Sequence, residues 1–313
     1  MRVLLAGATG ALGRRLLPKL IDAGHEVVGT TRSPEKLPAL EAAGADAIVM
    51  DGLDRASVGH TVAGAEPEVV IHQLTALATM GSLKKFDEEF AETNRLRTTG
   101  TDHLLAASRA AGVKRFIAQS YTGWPNERTG DRVKDETSPL DPTPTAVSAR
   151  TLDAIRHVEE AVTSTTDLEG LALRYGSFYG PGTGLAKGGD LLKMVAKRRL
   201  PVVAGGAGVW SFCHIDDAAS ATVAAVTQGA PGVYNIVDDE PSEVAEWLPY
   251  LAEVIGAKPP MRLPAWLAKP MIGEHGISLM TQVRGSSNAK AKAELGWSPT
   301  YPSWRDGFRT GLG

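Results

Sequence analysis

The chain has 313 residues, of which 43% are apolar and 22% charged, and a formal net charge of −3. That is the balance of a globular protein with room for two packed lobes. It gives no electrostatic basis for gripping nucleic acid or an anionic membrane surface, and a single cysteine, Cys213, excludes an intrachain disulfide.

The amino terminus enters a short strand-like run at once, too brief for a signal peptide. No apolar stretch is long enough to span a bilayer, so a cytoplasmic location is expected by default. Residues 3–6 read as a strand and 12–23 as a helix with Leu16, Leu17, Leu20 and Ile21 on one face, stopped at Gly24. Residues 26–30 form a second strand, and Ser33-Pro34 marks the cap and first position of a helix ending near Gly44. Strands are expected at 46–50 and 68–74, a long helix at 83–111, a strand at 114–120, a helix at 148–163 and a strand at 171–175. The strands read as continuous apolar runs, as strands covered on both faces do. Their alternation with helices predicts an α/β fold, a doubly wound parallel sheet of Rossmann type.

Residues 123–144 are polar and proline-rich and read as a long loop. Glycine and proline crowd 180–208 and 259–270, whereas a helix at 217–227 and a strand at 233–237 return to the sheet. The expected division is a Rossmann domain of residues 1–178 and 215–240, with a smaller, discontinuous C-terminal α/β cap of residues 179–214 and 241–313. Cys213 sits in an apolar run and reads as a buried strand residue.

The sequence Gly7-Ala8-Thr9-Gly10-Ala11-Leu12-Gly13 follows the first strand and opens the first helix. Gly7 allows a tight turn, Gly10 lets backbone approach a pyrophosphate, and Gly13 lets helix and strand pack closely. The helix start then offers free amides and a positive dipole end. An NAD site usually carries an acid about 20 residues on for the ribose hydroxyls. Here Thr31-Arg32-Ser33 stands there, so Arg32 can pair with a 2′-phosphate and the two hydroxyls can add bonds. NADP is therefore the expected cofactor rather than NAD. Asp51, ending the third strand, is a candidate acceptor for the adenine amino group, or else a cap before Leu53.

In these features the chain resembles the extended short-chain dehydrogenases/reductases, the NAD(P)-dependent epimerase/dehydratase group. The likeness runs nearly end to end. It takes in Gly7 to Gly13, Val70-Ile71-His72-Gln73, Asn94 and Gly100-Thr101, and Phe178-Tyr179-Gly180-Pro181-Gly182. It continues through His214-Ile215-Asp216-Asp217 to Leu295-Gly296-Trp297-Ser298-Pro299. The resemblance implies that Gln73 and Thr75 line the nicotinamide ribose, with Asn94 nearby. It also puts Ser120 and Tyr121 under the nicotinamide, with Tyr175, Ser177 and Phe178 closing over it. A homodimer through the long helices is the family's habit.

The family's Tyr-x-x-x-Lys pair is missing. Aligning Val158-Glu159 with the family's trailing residues puts Thr151 and Ile155 at those places, and a one-residue slip gives Leu152 and Arg156. Neither pair can do the usual proton transfer, so the chain reads as an atypical branch. Tyr121 is the nearest substitute donor, with Ser120 beside it and Arg156 or Arg150 supplying charge; His157 and His214 are alternatives. The scattered histidines give no metal spacing. The substrate side is expected to draw on residues 77–81, 121–124, 183–187 and Trp210. The leading function is an NADP(H)-dependent oxidoreductase passing hydride to or from a small carbonyl or alcohol, the proton coming from Tyr121 or bound water. The alternatives are a non-catalytic NADP(H) sensor and a nucleotide-sugar type epimerase or dehydratase.

Overall fold

The computed structural model describes residues 1–77 and 82–313. Seven strands make its frame: β1 (Arg2–Ala6), β2 (Glu26–Thr31), β3 (Asp46–Val49), β4 (Val69–His72), β5 (Arg115–Tyr121), β6 (Glu169–Tyr175) and β7 (Gly232–Ile236). They form one sheet in the order β7-β6-β5-β4-β1-β2-β3, with every neighbouring pair parallel. Val3, Leu4, Leu5 and Ala6 of β1 are buried on both faces, as are Val69, Val70 and Ile71 of β4. Such strands need cover on two sides, and crossover helices supply it while returning the chain in the same direction. The order reverses beside β1: the chain runs outward to β3, then crosses back to β4. A crevice for a ligand therefore lies at the carboxyl ends of β1 and β4.

The cover comes from α1 (Ala11–Asp22), α2 (Leu37–Ala42), α3 (Arg55–Ala65), α4 (Thr101–Ala110), α5 (Ala149–Thr163) and α6 (Ile215–Ala225). Leu12, Leu16, Leu17 and Leu20 of α1 pack with Ala218, Ala219, Ala221 and Ala225 of α6 on one face. Val58 and Val62 of α3, Leu104 of α4 and Val158 of α5 pack on the other. Along β1 the side chains divide by the two-residue period, Val3 and Leu5 to the first core and Leu4 and Ala6 to the second. A third core gathers Tyr179, Phe212, Trp247, Trp304 and Phe308 beyond the carboxyl edge. Ala291, Leu295 and Trp297 leave that lobe and join the α1–α6 core.

Several local expectations need correction. The stretch 83–111 is a 3-10 turn (Leu83–Lys85), two short helices (Phe86–Glu89 and Ala91–Arg95), a π turn (Leu96–Gly100) and α4. At the π turn the Thr98 hydroxyl donates to the Asn94 carbonyl at 3.0 Å, competing with the backbone ladder. Helix α3 was not expected, since its residues Arg-Ala-Ser-Val-Gly-His-Thr-Val-Ala-Gly-Ala carry only a thin apolar stripe. It is held by Asp54, whose carboxylate accepts from the Ala56 and Ser57 amides. Ser33 makes no capping bond and only precedes a 3-10 turn, Pro34–Lys36. The loop 123–144 contains Val133–Lys134, which pairs with Gly285–Ser286 and ties the loop to the C-terminal lobe. Among the described residues, no helix is long and apolar enough to cross a membrane.

Candidate active site

The turn between β1 and α1 is pressed against the end of β4. Gly7 has φ of +95°, and a Cβ there would lie 2.8 Å from the Gln73 carbonyl oxygen. At Gly13 a Cβ would lie 2.3 Å from the Gly7 oxygen and 2.7 Å from that of Ala8. The first turn of α1 thus rests on the loop that precedes it. Gly10 is extended at the N-cap, and no side chain caps the helix. The amides of Ala11, Leu12 and Gly13 have no acceptor four residues back, so they stand open to an anion. The turn is tied to β2 by the Ala8 amide on the Thr30 carbonyl at 3.1 Å. The hydroxyls of Thr9 and Thr31 meet at 3.3 Å.

Beyond β2 the Arg32 guanidinium is half exposed and pairs with Glu92. The Ser33 amide donates to the Thr31 hydroxyl at 3.2 Å. Asp51 is exposed and accepts from the Leu53 amide at 2.9 Å in a local turn; the helix cap expected as its alternative is supplied by Asp54 instead. Thr9, Thr31, Arg32 and Ser33 therefore form one rim beside the glycine turn.

The ends of β4, β5 and β6 divide the remaining expected residues. Gln73 Nε2 donates to the Tyr175 hydroxyl at 3.0 Å, which donates to Thr222 Oγ1 at 2.8 Å; that hydroxyl in turn donates to the Ala218 carbonyl. Burial also pushes the Tyr175 phenol well up. Tyr175 is thus a strut inside the α1–α6 core, and its side chain does not close over the crevice as expected. Phe178 packs on it with ring centres 5.3 Å apart, half buried. Thr75 is half buried just past β4.

Ser120 and Tyr121 are neighbours in a strand and point to opposite faces, so only one can reach the crevice. Ser120 is buried and donates to Glu159 Oε1 at 2.6 Å, while Arg174 grips the same carboxylate with two bonds of 2.7 Å. Its expected place under the nicotinamide is corrected to a support for that ion pair. Tyr121 faces a cleft also lined by Trp124, Ser177, Trp210 and Leu279. Its hydroxyl lies 2.9 Å from Ser177 Oγ. Burial raises the phenol pKa, opposed by the Ser177 bond and by the positive charge of Arg97. Arg156, expected to lend charge there, instead bonds Asp153 and the Asp141 carbonyl beside α5.

At the start of α5 the Thr151 hydroxyl donates to Asp87 Oδ1 at 2.6 Å and accepts from Asn94 Nδ2 at 3.0 Å. The amides of Arg150 and Thr151 also donate to Asp87, at 3.0 and 2.8 Å. A carboxylate from a separate short helix therefore caps α5. Ile155 and Leu152 are fully buried. Neither alignment with the family's pair supplies an acid, and the one cation either offers, Arg156, is engaged by Asp153 and the Asp141 carbonyl. His214, an alternative donor, accepts from the Asp216 amide at 3.2 Å and bonds the Gly311 carbonyl at 3.0 Å, so both its nitrogens are engaged. His157 bonds Asp102 at 2.8 Å on the outer side of α5. Cys213 is buried and its thiol pKa is raised by burial.

Of the expected substrate wall, Tyr121, Gly123, Trp124 and Trp210 share the cleft. Leu77 is exposed, residues 78–81 lie outside the described residues, and Leu185 and Ala186 are buried. Two buried charged residues were not singled out in the sequence, Asp87 at the start of α5 and Arg97, whose charge reaches Tyr121. Arg97 had a usable signal, lying three residues after Asn94 and four before Thr101 on one helical face. Asp87 had none, because the amides it caps are more than 60 residues away.

The sequence model of the NAD dependent epimerase/dehydratase family matches residues 3–237. A protein named 3-diazoavenalumate denitrifying reductase, from a Streptomyces species, is 46% identical over 309 residues, covering 98% of this chain and 99% of its own. The 2-alkyl-3-oxoalkanoate reductase of Stenotrophomonas maltophilia is 29% identical, over 82% of this chain and 76% of that protein. Among solved structures, the UDP-glucose 4-epimerase of Thermus thermophilus in complex with NAD aligns with a TM-score of 0.74 at 25% identity, covering 100% of this chain and 98% of that one. A human epimerase family protein with NADPH aligns at a TM-score of 0.76 and 19% identity, covering 100% and 99%, a likeness of fold.

Proposed function

The chain belongs to the NAD dependent epimerase/dehydratase family and is an NAD(P)-dependent oxidoreductase of it, and we propose that it uses NADPH to reduce an aryl diazonium compound with loss of N2. The Gly7–Gly13 turn and the open amides of α1 hold the diphosphate. Thr9, Thr31, Arg32 and Ser33 hold the adenosine end and its 2′-phosphate, with Asp51 near the adenine. The pair between Arg32 and Glu92 is exposed on both sides. Such a pair is worth only about 0–1 kcal/mol, so a phosphate can take the guanidinium from it at little cost. Gln73, Thr75, Asn94, Ser177 and Phe178 surround the nicotinamide end, and Tyr121, Trp124 and Trp210 wall the substrate.

One observation carries the choice of substrate: the crevice has no acid where this family keeps one. Thr151 gives its proton to Asp87, and Ile155 is buried hydrocarbon. NADPH, when bound, supplies a hydride. A ketone that accepts hydride becomes an alkoxide and needs a proton. A diazonium carbon that accepts hydride forms a C–H bond as its C–N bond breaks, and the bonding pair leaves with N2. No proton is required of the protein. The name of the 46% identical relative points the same way.

A second reading is favoured by Tyr121, whose hydroxyl faces the cleft 2.9 Å from Ser177. In it the substrate is a ketone and Tyr121 is the proton donor. The variant Tyr121→Phe separates the two, with NADPH consumption followed on an aryl diazonium and on a 3-oxoalkanoate. The diazo reading expects diazonium turnover within about 3-fold of wild type, since no proton transfer is lost. The ketone reading expects ketone turnover in the wild type and a loss of roughly 100-fold or more in the variant. Tight NADPH binding with turnover of neither compound returns the protein to the sensor alternative.

A further inference from the structure

We propose that Arg97 anchors the substrate by an anionic end, so that the reduced compound is a small organic carboxylate whose carboxylate pairs with this guanidinium. The proposal rests on the reductase reading but concerns a group that reading leaves unused. Arg97 is 6% exposed, and its Nε and Nη1 are buried without a hydrogen-bond partner among the described residues. Its identified neighbour is the Phe90 ring, 6.0 Å from the guanidinium carbon. Residues 78–81, Ala-Thr-Met-Gly, carry no acid.

The contrast within the same protein is sharp. Arg174, equally buried, is gripped by both oxygens of Glu159. Arg115, also buried, has Glu169 and the carbonyls of Ala225, Gln228 and Gly229. Arg97 alone among these three lacks a counter-ion. An unpaired buried cation is costly, and a buried donor left without a partner calls for a ligand to satisfy it.

Its position says which ligand. Arg97 lies in the π turn three residues after Asn94, whose Oδ1 is likewise buried without a partner while its Nδ2 is fixed on Thr151. The charge of Arg97 acts on both His72, at the end of β4, and Tyr121, at the end of β5. Both strands end at the carboxyl edge of the sheet where the crevice lies, and Tyr121 lines the cleft there. His72 offers no competing charge, since burial pulls its pKa down to about 4 and Thr101 holds its Nε2 at 3.1 Å. Burial lowers the Arg97 pKa to about 10, still far above neutrality, so the group is a standing cation. A planar guanidinium matches the two acceptor oxygens of a carboxylate better than any neutral group. Phe90, stacked on Phe86, which meets Trp124 edge-on, adds an aromatic wall beside it.

The test reads binding, not turnover. Protein loaded with NADP⁺ is titrated calorimetrically with 4-hydroxycinnamate and with its methyl ester. Wild type should bind the acid roughly 10- to 100-fold tighter than the ester, the range expected for a hydrogen-bonded charge. Arg97→Met should erase that preference while the ester and NADP⁺ affinities stay within about 2-fold, and Arg97→Lys should keep part of it. The proposal falls if wild type does not prefer the acid, binding of neither compound included, or if Arg97→Met keeps the preference. Should the methionine variant not fold, the wild-type comparison and Arg97→Lys still decide. A protein that selects the acid through Arg97 yet oxidises no NADPH overturns the reductase reading alone.

Discussion

Two helices start at the carboxyl edge of the same sheet and use their first amides in opposite ways. α1 leaves them uncapped behind a glycine turn, whereas those of α5 are taken up by Asp87 from another helix. At α1 the site is made of backbone, which any side chain would obstruct. At α5, where relatives in this family keep their acid, the structure holds a closed, buried hydrogen-bond network. The difference teaches that cofactor binding and proton transfer are separable in this fold. The first depends on close approach of main chain, the second on side chains, and neither Thr151 and Ile155 nor Leu152 and Arg156 offers an acid at the start of α5.

The comparison can be broken most severely at Gly13. Gly13→Ala puts a Cβ 2.3 Å from a backbone oxygen, which cannot swing away as a side chain can. We expect a loss of about 2–4 kcal/mol in urea unfolding. NADPH affinity, read by calorimetry, should fall by roughly 100-fold as the turn opens. Unchanged affinity would mean that close helix packing does not shape the phosphate site.

At the other helix, Asp87→Ala strips three donors of their acceptor. Unfolding free energy should drop by about 1–3 kcal/mol, and Asp87→Asn should recover part of it. NADPH affinity should change by less than about 2-fold, because α5 is a support and not a phosphate site. A variant with wild-type stability but weakened cofactor binding would reverse that assignment.

The smallest effect sharpens the rim of the α1 site. Arg32→Ala should cost under about 0.5 kcal/mol of stability, since its ion pair is exposed. It should lower the ratio of NADPH to NADH affinity by roughly 10- to 100-fold. If the ratio from titrating both cofactors does not move, Arg32 is not the 2′-phosphate ligand.

Much of the frame was legible because each strand carries its own signal. Val3 to Ala6 and Val69 to Ile71 are continuous apolar runs, and Leu12 to Leu20 repeats with helical spacing. The segment 83–111 was misread as one helix because composition alone cannot show a hydroxyl such as that of Thr98 bonding into the ladder. Helix α3 was passed over because its hold is a capping aspartate and not an apolar stripe. In the site, the glycine turn and the Thr31–Ser33 rim were readable, since backbone geometry fixes which residues can stand there. Ser120 and Tyr175 were misassigned because resemblance gives a position along a strand, while the pleat and the neighbouring Glu159 and Thr222 decide where the side chain goes.

The sequence by itself determined the parallel sheet, the glycine turn before α1 and the absence of any Tyr-x-x-x-Lys spacing, all of which rest on local residue type and spacing. Only the tertiary structure decided that Asp87 caps α5, that Tyr175 is a strut and that Arg97 is buried without an acid. Each of those depends on which distant side chain arrives to satisfy a buried polar group, and chain order does not encode that meeting.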